Sequence, residues 1–203
     1  MITNLKLPQN LNELSSILDK DLSVDNWSGA VVFLLVEDSL VFIRRSLSMP
    51  THKGQIAFMG GYKKDHENDP VETALREFEE ESAMSSKMLE FLGLVYPVLT
   101  VSNELIIPVV SRFLGSKERL IEGMNSNGEW DEFVIAPISF LANMDYWVKG
   151  SIFTQQQYSV YFAPLLKAFC FYSDDFEFNP YILWGASAKM VLNFFQKHQD
   201  SDR

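Results

Sequence analysis

Cysteine is nearly absent: Cys170 is the one thiol in 203 residues. A single cysteine cannot close an internal disulfide, so a disulfide-stapled scaffold is excluded and a reducing compartment is expected. Histidine is scarce as well, at three, and no Cys/His spacing suited to zinc occurs. Positive charge is in deficit, with 17 Lys plus Arg against 27 Asp plus Glu and a formal net charge of −10. A field of that sign repels phosphate backbones, so no nucleic-acid partner is expected. It does not exclude a small anionic substrate held through a metal. Long apolar runs are missing too. The longest, Ala30 to Val36, is far short of the roughly twenty residues that cross a bilayer. It reads as a buried strand, and no membrane partner is expected. The first twenty residues contain no apolar stretch of signal-peptide length, so the expectation is a soluble cytoplasmic protein. No Ser/His/Asp arrangement and no Walker loop are found.

What is present is material for a core: 47% apolar residues and 13% aromatic ones. The length fits a single domain over 1–203. Residues 1–25 read as an N-terminal helical extension, in which Asn10 and Glu13 have capping-box spacing and Leu11, Leu14, Ile17 and Leu18 share a face. Trp27 to Val36 and Leu40 to Arg44 read as paired strands about a polar turn. Residues 46–69 have little periodicity and contain Pro50, Gly54, Gly60 and Gly61. Loops beyond about 12–15 residues are usually functional. A helix follows with clear start signals, Asp69 as N-cap and Pro70 at its first position, and runs to about Ser82. Strands are expected at Leu92 to Leu99, Leu105 to Phe113, Phe133 to Ala136, Ser151 to Phe162 and Ala168 to Tyr172. Helices are expected from Pro137 toward Met144 and from Ile182 to Lys197. Interleaved strands and helices predict an α/β sandwich.

The informative run is Arg76-Glu77-Phe78-Glu79-Glu80-Glu81. At about 100° per residue, Glu77, Glu80 and Glu81 fall within a third of the helix circumference, beside an apolar stripe of Val71, Ala74, Leu75 and Phe78. Like charges at that spacing repel, and a cation should offset them. Arg76 is one partner, at i+4 from Glu80. A hard divalent cation with oxygen ligands, Mg²⁺ or Mn²⁺, is the other. A solvated acidic face is the plain alternative. Gly60-Gly61 just upstream favours the site, because a backbone carbonyl there can complete a metal shell and a glycine pair admits a phosphate closely.

The stretch from Gly60-Gly61 through Glu81, residues 60–84 in all, resembles the Nudix box, the signature of hydrolases that split nucleoside diphosphates linked to another group. The arginine and the three metal-binding glutamates of that pattern stand here as Arg76, Glu77, Glu80 and Glu81. The spacing from Gly61 to Arg76 is one residue longer than the general box, as in the coenzyme A pyrophosphatase branch. Val41 to Ser46, His52 to Phe58, Pro108-Val109-Val110 and Trp184-Gly185-Ala186-Ser187-Ala188 also resemble that branch. The likeness covers roughly residues 27 to 195. Two positions depart from the family: Met59 replaces a proline, and Ala83 replaces the closing glycine. If Ala83 needs φ > 0, it costs on the order of 1 kcal/mol.

The resemblance implies a Nudix-type α/β/α sandwich with a mixed sheet, in which Glu77, Glu80, Glu81 and the Gly60 carbonyl hold Mg²⁺ (or Mn²⁺) and Arg76 orients the glutamates. Its implied reaction is hydrolysis of coenzyme A or acyl-CoA to 3′,5′-ADP and 4′-phosphopantetheine. ADP-ribose or a nucleotide sugar is the alternative substrate, and a catalytically silent ligand-binding domain is the alternative of another class. The general base is a helix glutamate or a loop acid, with Glu129 favoured over Glu132. Arg44, Arg45, His52 and Lys53 form the one concentrated basic stretch and, with Gly61, are candidates for substrate phosphate; ordinary surface charge is the competing reading. Glu67 and Asp69 lie near the box's variable acidic position, and Asp69 is better explained as a cap. Trp184, Phe194 and Phe195 read as core, and Cys170 as a buried inert thiol. Many Nudix proteins are dimers, and the aromatic C-terminal half offers material for a homodimer interface.

Overall fold

Alternation along one strand sets the layering. In β1 (Gly29–Val36), Ala30, Val32, Leu34 and Val36 enter one apolar cluster while Phe33 and Leu35 enter another. All six are 0–1% exposed, so this strand is buried on both faces, as its unbroken apolar run requires. The computed structural model describes residues 18–20, 24, 26–143, 147–153, 157–165, 170–171 and 181–200, with side chains placed only outside 148–181 and 196–200.

The other strands are β2 (Ser39–Arg45), β3 (Ile56–Ala57), β4 (Met59–Tyr62), β5 (Leu89–Leu94), β6 (Val98–Leu99), β7 (Leu105–Phe113), β8 (Trp130–Pro137), β9 (Val148–Phe153), β10 (Gln157–Leu165), β11 (Cys170–Phe171) and β12 (Tyr181–Leu183). The main sheet runs β11-β8-β2-β1-β7-β5, with β3 on β2, β4 on β1 and β6 on β7; β12-β10-β9 form a second sheet. β1 and β7 pair in parallel while β1 and β2 are antiparallel, so the sheet is mixed.

Helix α1 (Pro70–Ser82) covers one face through Ala74 and Phe78, joined by Leu120 of α2 (Lys117–Gly123). The other face is covered by Leu141 and Ala142 of α3 (Ile138–Ala142) and by Ala188, Val191, Phe194 and Phe195 of α4 (Gly185–Asp200). The Phe194 ring lies tilted against Phe33 with centroids 4.8 Å apart, a core role for that aromatic pair. The expected α/β/α sandwich with a mixed sheet is thus observed.

Several boundaries differ from the sequence reading. The supposed loop 46–69 contains β3 and β4, two strands too short to show a period. Helix α2 was not anticipated; Ser116 caps it by accepting from the Arg119 N–H. The final helix begins at Gly185, not Ile182, because Ile182 lies in β12, paired with Pro164. Within the expected N-terminal helical extension, the described residues Leu18 to Lys20 are not helical, and Asp19 forms an isolated bridge with Leu94. The part of that helix up to Ile17, the end of the third helix at Met144 and the side chain of Cys170 lie outside the described residues.

Ala83 closes α1 at φ +58°, its N–H bonded to Glu79 O at 3.1 Å. The family's glycine suits this left-handed cap better than alanine does. Ala83→Gly is expected to stabilise the protein by about 0.5–1 kcal/mol, measured as a rise in the urea midpoint with an unchanged slope.

Candidate active site

Helix α1 starts where its sequence says it should: Asp69 Oδ1 accepts from the Val71 N–H at 2.8 Å, and Pro70 follows. With Ala74 and Phe78 fixed against the sheet, the three glutamates emerge on the flank at graded depth. Glu80 is exposed, Glu77 half-buried, and Glu81 is 2% exposed.

Arg76 lies among carboxylates. Its Nε donates to Glu67 Oε1 at 2.7 Å, its Nη1 to Glu77 Oε1 at 2.6 Å and to Glu80 Oε2 at 2.8 Å, and its Nη2 to the Tyr62 carbonyl at 3.0 Å. Lys64 Nζ takes the other Glu80 oxygen at 3.0 Å. Glu67 received no role from the sequence, yet it is 4% exposed and also accepts from Thr73 Oγ1 at 2.6 Å and the Lys64 N–H at 2.8 Å. The acidic position nine residues before Arg76 was the available signal.

The Arg76 hydrogen bond, aided by those of Thr73 and the Lys64 backbone, lowers the Glu67 carboxyl to about 2. A carboxylate depressed by folding stabilises the native state above its unfolded pKa and loses that contribution as pH falls through the folded one. Stability on the order of 1–3 kcal/mol is therefore expected to disappear between about pH 4.5 and pH 2. The check is a pH series of denaturant melts, in which Glu67→Gln should show a flatter profile.

Glu81 is the unusual group. Burial first, then the charges of Glu129 and Glu77, push its carboxyl up to about 8, against a lowering hydrogen bond from the Gly60 backbone. Its Oε2 is buried with no hydrogen-bond partner. Glu77 is raised too, chiefly by burial. Gly60 is needed here, at φ +152° and with a Cβ that would lie 2.4 Å from the Ala30 carbonyl, whereas a Cβ on Gly61 would meet the end of the Glu77 side chain, 2.5 Å from its Oε1. The space beside Gly61, read from sequence as room for phosphate, is taken by the Glu77 carboxylate.

The basic stretch divides. Strand alternation puts Arg45 on the α1 face with Val41 and Ile43, and Arg44 on the other with Phe42. Arg44 is 5% exposed and its Nη1 bonds Glu132 Oε1 at 3.0 Å. Its charge is committed to this buried pair. Arg45 lies near enough to lower Glu81, and its Nε is buried without a partner. His52 and Lys53 are exposed on the β2–β3 loop, away from any described contact with the glutamates. Glu129 is half-buried in the loop before β8, held by Asn127, with its charge felt at both Glu77 and Glu81. Beside it Trp130, which no local sequence pattern singles out, donates its indole N–H to the Glu81 carbonyl at 2.8 Å.

The geometry sets Arg76 against Glu77 and Glu80, and Glu81 against the Gly60 backbone, with Gly61 beside Glu77. A model of the NUDIX domain matches residues 26–136, more than half of the chain. The chain belongs to the Nudix family. Curated Nudix relatives include an uncharacterized Nudix hydrolase, NudL, from Photorhabdus laumondii, 33% identical over 94 residues that make up 45% of this chain and 50% of that protein. NudL from Pectobacterium atrosepticum is 39% identical over 72 residues, 36% of this chain and 38% of that one. This Nudix chain thus spans half or less of the length of the curated relatives it matches. Among solved structures, a C. elegans Ap4A hydrolase binary complex superposes with a TM-score of 0.46 at 12% identity, covering 55% of this chain and 80% of that one. An ADP-ribose pyrophosphatase from Streptococcus suis gives 0.37 at 13%, covering 55% and 73%. No helix among the described residues is long and apolar enough to cross a membrane.

Proposed function

We propose that the protein hydrolyses a diphosphate linkage in a nucleoside diphosphate derivative, using Mg²⁺ or Mn²⁺. The observation that carries this reading is Glu81, a buried carboxylate with an unpartnered oxygen, repelled by Glu77 and Glu129. Groups of this kind concentrate at functional sites, where a cation or a reaction offsets their cost. The donors that would hold the ion, Glu77, Glu80, Glu81 and the Gly60 carbonyl, are all oxygens, which fits Mg²⁺ or Mn²⁺ over softer metals. Among the described residues no three acidic, histidine or cysteine side chains are already drawn into a metal cluster. Arg76 bridges Glu77 and Glu80 instead. When bound, the ion would neutralise phosphoryl charge.

The chain's own residues do the rest. Arg76 holds Glu77 and Glu80 on one side of the site. Arg45, with its buried Nε unpaired, offers a donor to an anionic phosphoryl oxygen. Glu129 is proposed as the base, since it is half-buried beside Glu77 and Glu81 in the loop before β8, within reach of water in the site. His52 and Lys53 would reach outlying phosphate from the exposed loop.

The narrower substrate reading is coenzyme A or acyl-CoA, supported by the sequence likeness upstream of the box. A specific observation favours ADP-ribose or a nucleotide sugar: with Arg44 bound to Glu132, fewer cations remain for an additional 3′-phosphate. Incubation with Mg²⁺ and each of coenzyme A, acetyl-CoA, ADP-ribose and nucleotide sugars, read by product mass, tests both. A product cut between the two phosphorus atoms is expected from at least one. Mn²⁺ binding by calorimetry without product from any would point to a ligand-binding domain.

A further inference from the structure

We infer that Trp130 is a positioning residue that fixes the Glu81 carboxylate relative to Glu129 and Arg45. This rests on the diphosphate-hydrolysis reading and deepens it.

Helix C-termini leave their last carbonyls without intrahelical donors. At the end of α1 two are supplied by the segment entering β8: Ser82 O accepts from the Asn125 N–H at 3.0 Å, and Glu81 O from the Trp130 indole at 2.8 Å. The residue whose side chain carries the buried carboxylate with an unpartnered oxygen is therefore held by its backbone from β8. Trp130 is 4% exposed, with its ring edge-on to Phe133 at 5.9 Å, so the donor cannot swing away.

Three connections meet at this residue. It follows Glu129 in the chain, it is the cross-strand partner of Arg45, and it bonds Glu81. The meeting depends on a bulge. Pairing passes from Arg44–Glu132 to Arg45–Trp130, leaving Asp131 unpaired with its Oδ2 accepting from the Leu47 N–H at 3.1 Å. Phe133 and Ile135 face α1 while Val134 and Ala136 face the opposite core. Simple alternation would send Trp130 to that opposite core; the extra residue turns it toward α1. Bulges re-aim side chains in this way.

The test uses the full chain and the best substrate from the panel. Trp130→Phe keeps a buried ring and removes the N–H. At saturating Mn²⁺ it is expected to lower kcat about tenfold with KM within about twofold, and electron paramagnetic resonance should show weaker Mn²⁺ binding. Phe133→Leu, which disturbs the same packing without touching the bond, should leave kcat within about twofold. Should Trp130→Phe not fold, benzothienylalanine at position 130 keeps the ring shape and lacks the donor. A kcat within about twofold of the parent in the donor-less protein, or an equal loss in Phe133→Leu, overturns the inference. A wild-type chain that cleaves nothing in the panel instead overturns the proposed function, and the Mn²⁺ measurement then still reports on Trp130.

Discussion

Glu81→Gln is expected to lower kcat by about 10³-fold while leaving the protein at least as stable as before. The two effects have one cause. Glu81 is 2% exposed, has an oxygen with no partner, and stands in the field of Glu77 and Glu129. A carboxylate raised by folding destabilises the native state at pH values above its unfolded pKa, because folding must then either protonate it or bury its charge, and a neutral isostere escapes that cost at neutral pH. The same exchange removes a charged oxygen donor from the proposed cation site. Stopped assays of the responding substrate and a thermal melt would check both halves. Glu80→Gln, at an exposed position, should lose activity with little change in the melt. Undiminished hydrolysis in both variants excludes the assignment of these glutamates.

Arg76→Ala should damage both stability and activity. Its guanidinium satisfies three carboxylates and a carbonyl, and one of the carboxylates, Glu67, is 4% exposed. Removing one partner of a buried pair costs about 3–5 kcal/mol, since the other charge is left without compensation. Freed from Arg76, Glu77 and Glu80 would spread, and kcat/KM should fall about 10–100-fold. The second substitution Glu67→Gln separates the effects: in the Arg76→Ala background it should recover much of the stability and none of the activity. A double-mutant cycle of denaturant melts measures the coupling. Full recovery of turnover by Glu67→Gln would show that Arg76 acts on stability alone.

Features encoded within one or two helical turns were legible in the sequence. Asp69, Pro70 and the spacing of Ala74 and Phe78 announce α1 and its buried side, and Glu77, Glu80 and Glu81 announce their own proximity. The strained cap at Ala83 was also readable as a conditional, and φ +58° satisfies the condition. Features that depend on pairing across the sheet were not. Arg44 and Arg45 look like one basic patch in a linear string, but a strand sends neighbours to opposite faces. The bulge at Asp131 is a register shift with no composition of its own. Trp130 reaches Glu81 across 49 residues, and no local pattern marks that contact. The membership of Glu67 in the Arg76 network needed the loop's path as well as its sequence.

The parallel pairing of β1 with β7 bears on how the chain reaches this architecture. Ser28 and Leu105, at the start of that ladder, are 77 residues apart. Loop closure over such a span carries an entropic toll that no hairpin meets, and contacts of this kind slow the search for the native topology. During synthesis, β1 can zip onto β2 as a hairpin within moments of emerging. Its opposite edge stays open until β7 has cleared the ribosome, and for that interval Ala30 to Val36 presents an apolar strand with an unpaired edge, the kind of surface on which nascent chains aggregate.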